Sequence, residues 1–347
     1  MGDVSAQLPH RRERRPSGPR QPSLPPRRAS HARHYAALDL GTNNCRLLIA
    51  RPTPEGFTVV DAFSRIVRLG EGLSATGRLS DAAIDRTLAA LAVCADKLKR
   101  RNVTLARSVA TEACRRASNG AEFIARAHAE TGIRLDIIPA QEEARLAVLG
   151  CHPLLEPGDG PALVFDIGGG STELVLVDTS DDIPVILDWQ SAPWGVVSLT
   201  ESEPCPADAS REQRLATFAR MKARVADSFA TLAARLPRGG EMRLLGTSGT
   251  VTTLASVHLG LPAYDRSRVD GLIVPAAAMR AINDKLAGMS VAERATLPCI
   301  GNERADLVVA GCAILETILE IWPASRLGVA DRGIREGILR SLMASRA

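Results

Sequence analysis

A chain of 347 residues has room for two ordinary domains, and 45% hydrophobic with 24% charged residues is the balance of a globular protein rather than a disordered or fibrous one. No apolar run approaches the roughly 20 residues of a membrane-spanning helix, and no short apolar segment follows a basic start as in a signal peptide, so the expected address is the cytoplasm. The net charge of +4 is uneven: residues 1–34 hold eight arginines against Asp3 and Glu13, a net of +6, which leaves −2 for residues 35–347.

That first segment also carries six prolines and few large apolar side chains. It cannot bury enough surface to offset its ordering entropy, so it reads as a disordered basic tail: an inert extension, or an arm that attracts polyanions. Residues 35–40 are then a short apolar run, followed by the turn GTNN, the run CRLLIARP, a turn at Gly56 and FTVVDAFSRIV. Three strand-like pieces with tight connections predict an antiparallel meander. From Ser80 the period changes. Ile84, Leu88, Leu91, Ala92, Ala95 and Leu98 recur at helical spacing, Ser80 or Asp81 suits the N-cap, and Lys97, Lys99, Arg100 and Arg101 crowd the end, where cations suit the helix dipole.

A strand is expected at 104–110, a helix over about 121–131 ending at Gly132, a strand at 134–138, and a helix just after Pro139 with Gln141, Glu142 and Glu143 in its first turn. Residues 152–161 are rich in turn formers and mark the domain boundary, giving an N-terminal domain over 35–155 and a C-terminal one over 156–347. The second half repeats the scheme: a strand to Asp166, a glycine turn, strands at 173–178 and 183–190, a long helix across 207–235, a strand at 242–246, and mostly helix to the end. Laying 38–49 over 165–176 pairs Asp39 with Asp166, Gly41 with Gly168, Asn44 with Ser171 and Arg46 with Glu173 at a constant offset of 127. An Asp-x-Gly strand-turn-strand opens each half, and a duplicated α/β domain with a cleft between the halves produces this most simply.

The seven cysteines are odd in number, scattered and without a Cys-x-x-Cys pair, so they read as reduced small side chains. Cys151 and His152 are the one adjacent pair of soft ligands, too few for a zinc site.

The glycine turns exclude two familiar phosphate motifs. Gly168–Gly170 lead into a strand, whereas a dinucleotide fingerprint leads into a helix, and no Gly-x-x-x-x-Gly-Lys-Ser/Thr occurs. A glycine turn between strands still exposes successive N–H groups as an anion-binding concavity, and two facing turns could grip a phosphate chain. Asp39 and Asp166, at strand ends beside those turns, can hold Mg²⁺ directly or through water. A third glycine element at 244–254 runs from strand into helix, so the N–H groups of Ser248, Gly249 and Thr250 form a second kind of anion site.

Seven motifs in order resemble the Ppx/GppA phosphatase family, the exopolyphosphatases and guanosine pentaphosphate phosphohydrolases. They are AspLeuGlyThrAsnAsn (39–44), ThrGluAlaCysArgArgAlaSerAsn (111–119), GluGluAlaArgLeu (142–146), AspIleGlyGlyGlySerThrGlu (166–173), GlyThrSerGlyThr (246–250), GluArgAlaAsp (303–306) and AlaAspArgGlyIleArgGluGly (330–337). The resemblance implies duplicated ribonuclease-H-like domains of the actin, sugar kinase and chaperone superfamily. It makes Glu143 the general base, with Asp166 and Glu173 organising metal and water and Asp39 opposite. Arg115 is then a phosphate contact, and Gly41, Thr42, Asn43, Asn44, Gly168, Gly169, Gly170, Ser171, Ser248, Gly249 and Thr250 supply phosphate-binding donors. Thr42 and Asn44 replace two serines common in the family, and Arg332 stands where a glycine is common. The chain ends before the helical C-terminal domains of the long members.

The activity so implied is Mg²⁺-dependent release of orthophosphate from inorganic polyphosphate. Removal of the terminal phosphate of pppGpp, phosphorylation of a small acceptor by ATP, and non-catalytic sensing of polyphosphate or alarmone remain alternatives. The expected partners are polyphosphate or guanosine pentaphosphate and a second copy of the chain, with no membrane and no specific nucleic acid.

Overall fold

A computed structural model describes residues 33–180, 184–236 and 242–345. The tail expected over 1–34 falls outside the described residues except for Arg33 and His34, and His34 already opens the first strand.

The first sheet contains β1 (His34–Leu40), β2 (Asn44–Thr53), β3 (Gly56–Ile66), β4 (Val103–Ala110) and β5 (Leu135–Ile137) in the order β3-β2-β1-β4-β5. The meander is antiparallel as predicted, and β4 and β5 then add in parallel. Its helices are α1 (Leu73–Thr76), α2 (Asp81–Arg100), α3 (Glu112–Arg116), α4 (Gly120–Thr131) and α5 (Ala140–Cys151). The predicted cap of α2 is present: the Ser80 hydroxyl accepts from the Ala83 amide, and Lys97, Lys99 and Arg100 sit in the last turn.

The second sheet follows the same plan with one extra strand. Its members are β6 (Ala162–Ile167), β7 (Thr172–Asp178), β8 (Val185–Ala192), β9 (Arg243–Thr247), β10 (Ile273–Pro275) and β11 (Arg326–Ala330), in the order β10-β11-β9-β6-β7-β8. Strands β6, β7 and β8 form an antiparallel meander, and β9 and β11 add in parallel beside β6. Around it lie α6 (Val196–Ser202), α7 (Arg211–Arg235), α8 (Ser248–His258), α9 (Arg266–Val269), α10 (Ala276–Gly288), α11 (Val291–Ala295) and α12 (Val308–Ile321), and the last helix of the chain, α13 (Ile334–Ala344), lies against the first sheet. The shared 3-2-1-4-5 plan is that of duplicated ribonuclease-H-like domains, as the sequence resemblance implied.

Three expectations need correction. The region after 246 is not only helix: β10 and β11 complete the second sheet. β11 is five residues long and buried after its first, so it has no alternation to betray a strand. The helix expected from 207 begins at Arg211, where Ser210 and Gln213 form a reciprocal capping box. Finally, the short helices α1, α3 and α6 were not foreseen.

The halves are joined by more than the chain. Helix α13 crosses back to pack on α5 and β1, with Ile334, Ile338 and Leu339 in one buried cluster with Tyr35, Ala37 and Leu146. Glycines permit this: a β-carbon on Gly150 would lie 1.9 Å from the Gly333 carbonyl oxygen, and one on Gly337 would lie 2.0 Å from that of Leu146. Arg68 also bridges the halves, holding Asp306 at 2.8 and 3.2 Å.

Candidate active site

The β1–β2 and β6–β7 hairpins are built alike. Asp39 lies opposite Arg46 across the first ladder and Asp166 opposite Glu173 across the second, so each pair shares one face of its sheet. The Gly41 amide donates to the Asn44 carbonyl at 2.9 Å, and the Gly168 amide to the Ser171 carbonyl at 3.0 Å. The offset of 127 read from sequence is therefore a repeat of backbone geometry.

Each turn has its carbonyls tied down from behind. Those of Thr42 and Asn43 accept from the amides of Val67, Arg68 and Gly70, and those of Gly168 and Gly169 accept from the amides of Val196, Val197 and Ser198 at the start of α6. The amides of Thr42, Asn43, Gly169, Gly170 and Ser171 have no acceptor among the described residues. The backbones of both turns thus present a run of free N–H donors, which is the polarity an anion requires.

The turns also touch. A β-carbon on Gly169 would lie 3.0 Å from the Asn43 amide nitrogen, and one on Gly170 would lie 2.6 Å from the Thr42 hydroxyl oxygen. The sequence reading assigned these glycines to the approach of a phosphate chain. Their immediate structural necessity is the approach of the opposite turn.

The N-terminus of α8 closes the third side. The Thr247 hydroxyl donates to the Arg332 carbonyl at 2.6 Å and the Ser248 hydroxyl to the Ile167 carbonyl at 2.5 Å, so neither caps the helix. The first-turn amides remain free. Ser248 holds a φ of 82°, a left-handed conformation a serine adopts only under constraint, at the very entry to this helix.

These elements enclose a cavity of about 130 Å³ lined by Asp39, Glu143, Asp166, both turns and Ser248–Thr250, so most of the sequence-predicted residues converge. Arg115 and Glu173 do not line it. Glu173 is buried behind Asp166, its carboxylate accepting from the Ser191 hydroxyl at 2.8 Å. Arg115 is held between two carboxylates, donating to Glu112 at 2.8 Å and to Glu143 at 2.7 Å, and to the Ile138 carbonyl at 2.8 Å. The guanidinium expected to contact phosphate is thus occupied in positioning Glu143.

The two first-turn glutamates of α5 separate cleanly. Glu142 faces outward to Arg107 at 3.0 Å and Arg145 at 2.7 Å, while Glu143 turns into the cleft and is buried. Burial and the nearby Glu173 charge push the Glu143 carboxyl well above the ordinary carboxylate range, and Arg115 pulls against them. Burial with the Asp166 charge raises Glu173 to about 7. Burial with the Asp39 charge raises Asp166 to about 6, opposed by Arg46. Burial likewise raises Asp39 against the pull of Arg46 and Arg335.

Asp39 Oδ1 is buried without a hydrogen-bond partner. A buried orphan carboxylate oxygen facing a second, mutually repelled carboxylate fits a divalent cation. Among the described residues no group of three or more His, Cys, Asp or Glu could hold a metal. Asp39 and Asp166 would therefore hold such an ion with water and phosphate oxygens completing its shell, the usual habit of Mg²⁺.

Sequence reasoning missed Arg46, Arg304 and Arg335 as cleft residues. Arg46 lies over the α8 N-terminus, where a β-carbon on Gly249 would be 3.5 Å from its guanidinium. Its pairing with Glu173 in the repeat was the available signal. Arg304 donates to Thr253 at 2.8 Å, and the GluArgAlaAsp motif held it in plain view.

The sequence profile of the Ppx/GppA phosphatase family matches residues 48–346. This chain belongs to that family. It is 33% identical over 323 residues to the protein named exopolyphosphatase 2 of Mycobacterium tuberculosis, covering 88% of this chain and 98% of that one. A guanosine-5'-triphosphate,3'-diphosphate pyrophosphatase of Aeromonas salmonicida is 28% identical over 89% of this chain but only 59% of its own length. The crystal structure of the Aquifex aeolicus family member superposes with a TM-score of 0.73 at 29% identity, over 90% of this chain and 98% of that one. No described helix is long and apolar enough to cross a membrane.

Proposed function

We propose that this phosphoanhydride hydrolase of the Ppx/GppA family releases orthophosphate from the end of inorganic polyphosphate. The observation that carries the reading is the convergence of three backbone elements with free N–H donors, two turns and a helix N-terminus, on a cleft that also holds one buried glutamate. Such a cleft grips a chain of phosphates by its non-bridging oxygens and leaves a carboxylate to activate water.

In this reading residues 35–155 and 156–347 are the two jaws. Glu143, oriented by Arg115, accepts a proton from water as the water oxygen attacks the terminal phosphorus. The bond to the bridging oxygen then breaks, and the shortened chain departs with the electron pair. Burial raises the Glu143 carboxyl above the ordinary carboxylate range while Arg115 opposes the rise, which makes it a stronger base than an exposed carboxylate. Asp166 orients the water from the cleft wall, with Glu173 buried behind it adding to the negative potential. Arg46, Arg304 and the turn amides offset the charge on the transferring group. Mg²⁺ held by Asp39 and Asp166 would supply Lewis-acid neutralisation of the phosphate oxygens.

No residue lining the cleft among those described is aromatic, so nothing there stacks a nucleobase, and this favours a bare phosphate chain. Purified protein supplied with Mg²⁺ should release phosphate from polyphosphate faster than from pppGpp. The reverse order would assign it to the alarmone. Release from neither, with a tight complex to either, would make it a sensor.

A further inference from the structure

The short helix α3 brings a carboxylate into the cleft that the grip on phosphate does not explain. Thr111 follows the last residue of β4, and its amide donates at 3.2 Å to the carbonyl of Leu40, the last residue of β1. Glu112, the first residue of α3, therefore enters where the Gly41 turn begins, and it lines the cleft. A β-carbon on Gly170 would lie 3.0 Å from Glu112 Cγ, so the same side chain abuts the turn of the opposite half. A carboxylate at this spot repels an incoming phosphate chain, and its contribution lies elsewhere.

The close contact of Glu112 is Arg115. Residues three apart share a helix face, and Arg115 Nε and Nη2 both donate to Glu112 Oε2, at 3.2 and 2.8 Å. Nη1 donates to the Ile138 carbonyl at 2.8 Å and to Glu143 Oε2 at 2.7 Å. Glu112 and the Ile138 carbonyl thus fix the plane of the guanidinium, and the edge left over meets Glu143. Glu112 Oε1 lies 3.9 Å from Arg116 Nε, beyond hydrogen-bond reach. The side chains of Glu112, Arg115 and Glu143 are only 14%, 17% and 9% exposed, so water screens this row of carboxylate, guanidinium and carboxylate weakly. Burial opposes the charge of Arg115, and Glu143 and Glu112 together raise its pKa above the usual guanidinium value. One cation is shared by two carboxylates.

We propose that Glu112 is a positioning residue: it fixes the guanidinium of Arg115 and takes up part of its charge, so that Glu143 is oriented without being fully neutralised. The consequence for proton transfer rests on the hydrolase reading above, with Glu143 as the base. The seating of Arg115 does not.

The test has two arms. Glu112→Gln keeps the volume and removes the charge, so Arg115 pairs with Glu143 alone, and kcat on polyphosphate should fall about tenfold. KM should hold or fall, because a negative charge has left the cleft wall, whereas a damaged cleft would raise it. In a Glu143→Gln background the same substitution should cost nothing further, since its effect passes through that carboxylate. An unchanged kcat, equal losses in the two backgrounds, or a raised KM would overturn the proposal. The second arm needs no turnover. It follows the Arg115 Nε–Hε signal by NMR in the full-length protein, assigned with Arg115→Lys. Held by Glu112, this proton should exchange slowly with water in the wild type. It should exchange about tenfold faster in Glu112→Gln and in Glu112→Asp, whose carboxylate keeps its charge but stops one methylene short. Exchange unaffected by either variant refutes the seating. If the wild type hydrolyses no phosphate chain, or Glu143→Gln is fully active, the hydrolase reading or its base falls, while the NMR arm still decides whether Glu112 fixes Arg115.

Discussion

Replacing Glu143 by Gln removes a proton acceptor while keeping the volume and one oxygen for Arg115, whose donation at 2.7 Å survives the change. Arg115 also retains Glu112 and the Ile138 carbonyl, so the local scaffold is undisturbed. The perturbation is therefore almost purely chemical. General-base catalysis contributes about 10²- to 10⁴-fold, or roughly 3–5 kcal/mol of barrier, and kcat should fall about a thousandfold. Substrate binding by the turns should persist, with KM changing by less than about threefold, because the lost interaction belongs to the transition state. Melting temperature should hold steady, since the lost attraction to Arg115 is offset by relief from Glu173. The same exchange one residue earlier is the control: Glu142→Gln alters a group paired outward with Arg107 and Arg145 and should leave kcat nearly intact. Steady-state phosphate release with thermal melts of both variants makes the comparison. A folded Glu143→Gln enzyme within about threefold of wild type would refute the assignment of the base.

Asp166 and Glu173, raised to about 6 and about 7, hold protons in the folded chain that the unfolded chain has released, so stability of the metal-free protein should fall as pH rises from 5 to 8. Mg²⁺ should raise the melting temperature far more at pH 8 than at pH 5.5, and a metal effect independent of pH would exclude Asp166 as a ligand. Over the same window activity should drop as pH falls, because protonation of these carboxylates competes with the metal and the water. Gly169→Ala places a β-carbon 3.0 Å from Asn43 N and should separate the turns, costing about 1–3 kcal/mol and lowering kcat/KM by more than the stability loss explains. Unaltered kinetics would show that contact between the turns is irrelevant to turnover. Asp306→Asn breaks the bridge to Arg68, a half-exposed pair contributing about 1 kcal/mol or less, so melting should scarcely move while KM rises as the jaws lose a tie. An unchanged KM would remove that bridge from the function.

The elements most legible in the sequence were those with a period or a punctuated end. The meanders are apolar runs punctuated by tight turns, and α2 has both its cap and its basic last turn, so local chemistry decided them. The unread strand β11 is short, buried and without alternation, and only its pairing with β9 and β10 makes it a strand. Asp39, Asp166, the turns and Glu143, which line the cleft, were named from motifs and from the 127-residue repeat. Arg115 was identified but given a contact that Glu112 and Glu143 already occupy.

The sequence by itself determined that two like hairpins exist, each with an aspartate before a donor-rich turn, because that information lies within a dozen consecutive residues. Only the tertiary structure decided which partners those residues meet. The carbonyls of each turn are claimed by segments more than twenty residues away. The Gly169 turn abuts Asn43, and α13 returns to cross α5 where Gly150 meets Gly333 and Gly337 meets Leu146, elements far apart in the chain. Such meetings follow from packing, and no local pattern of residues encodes them.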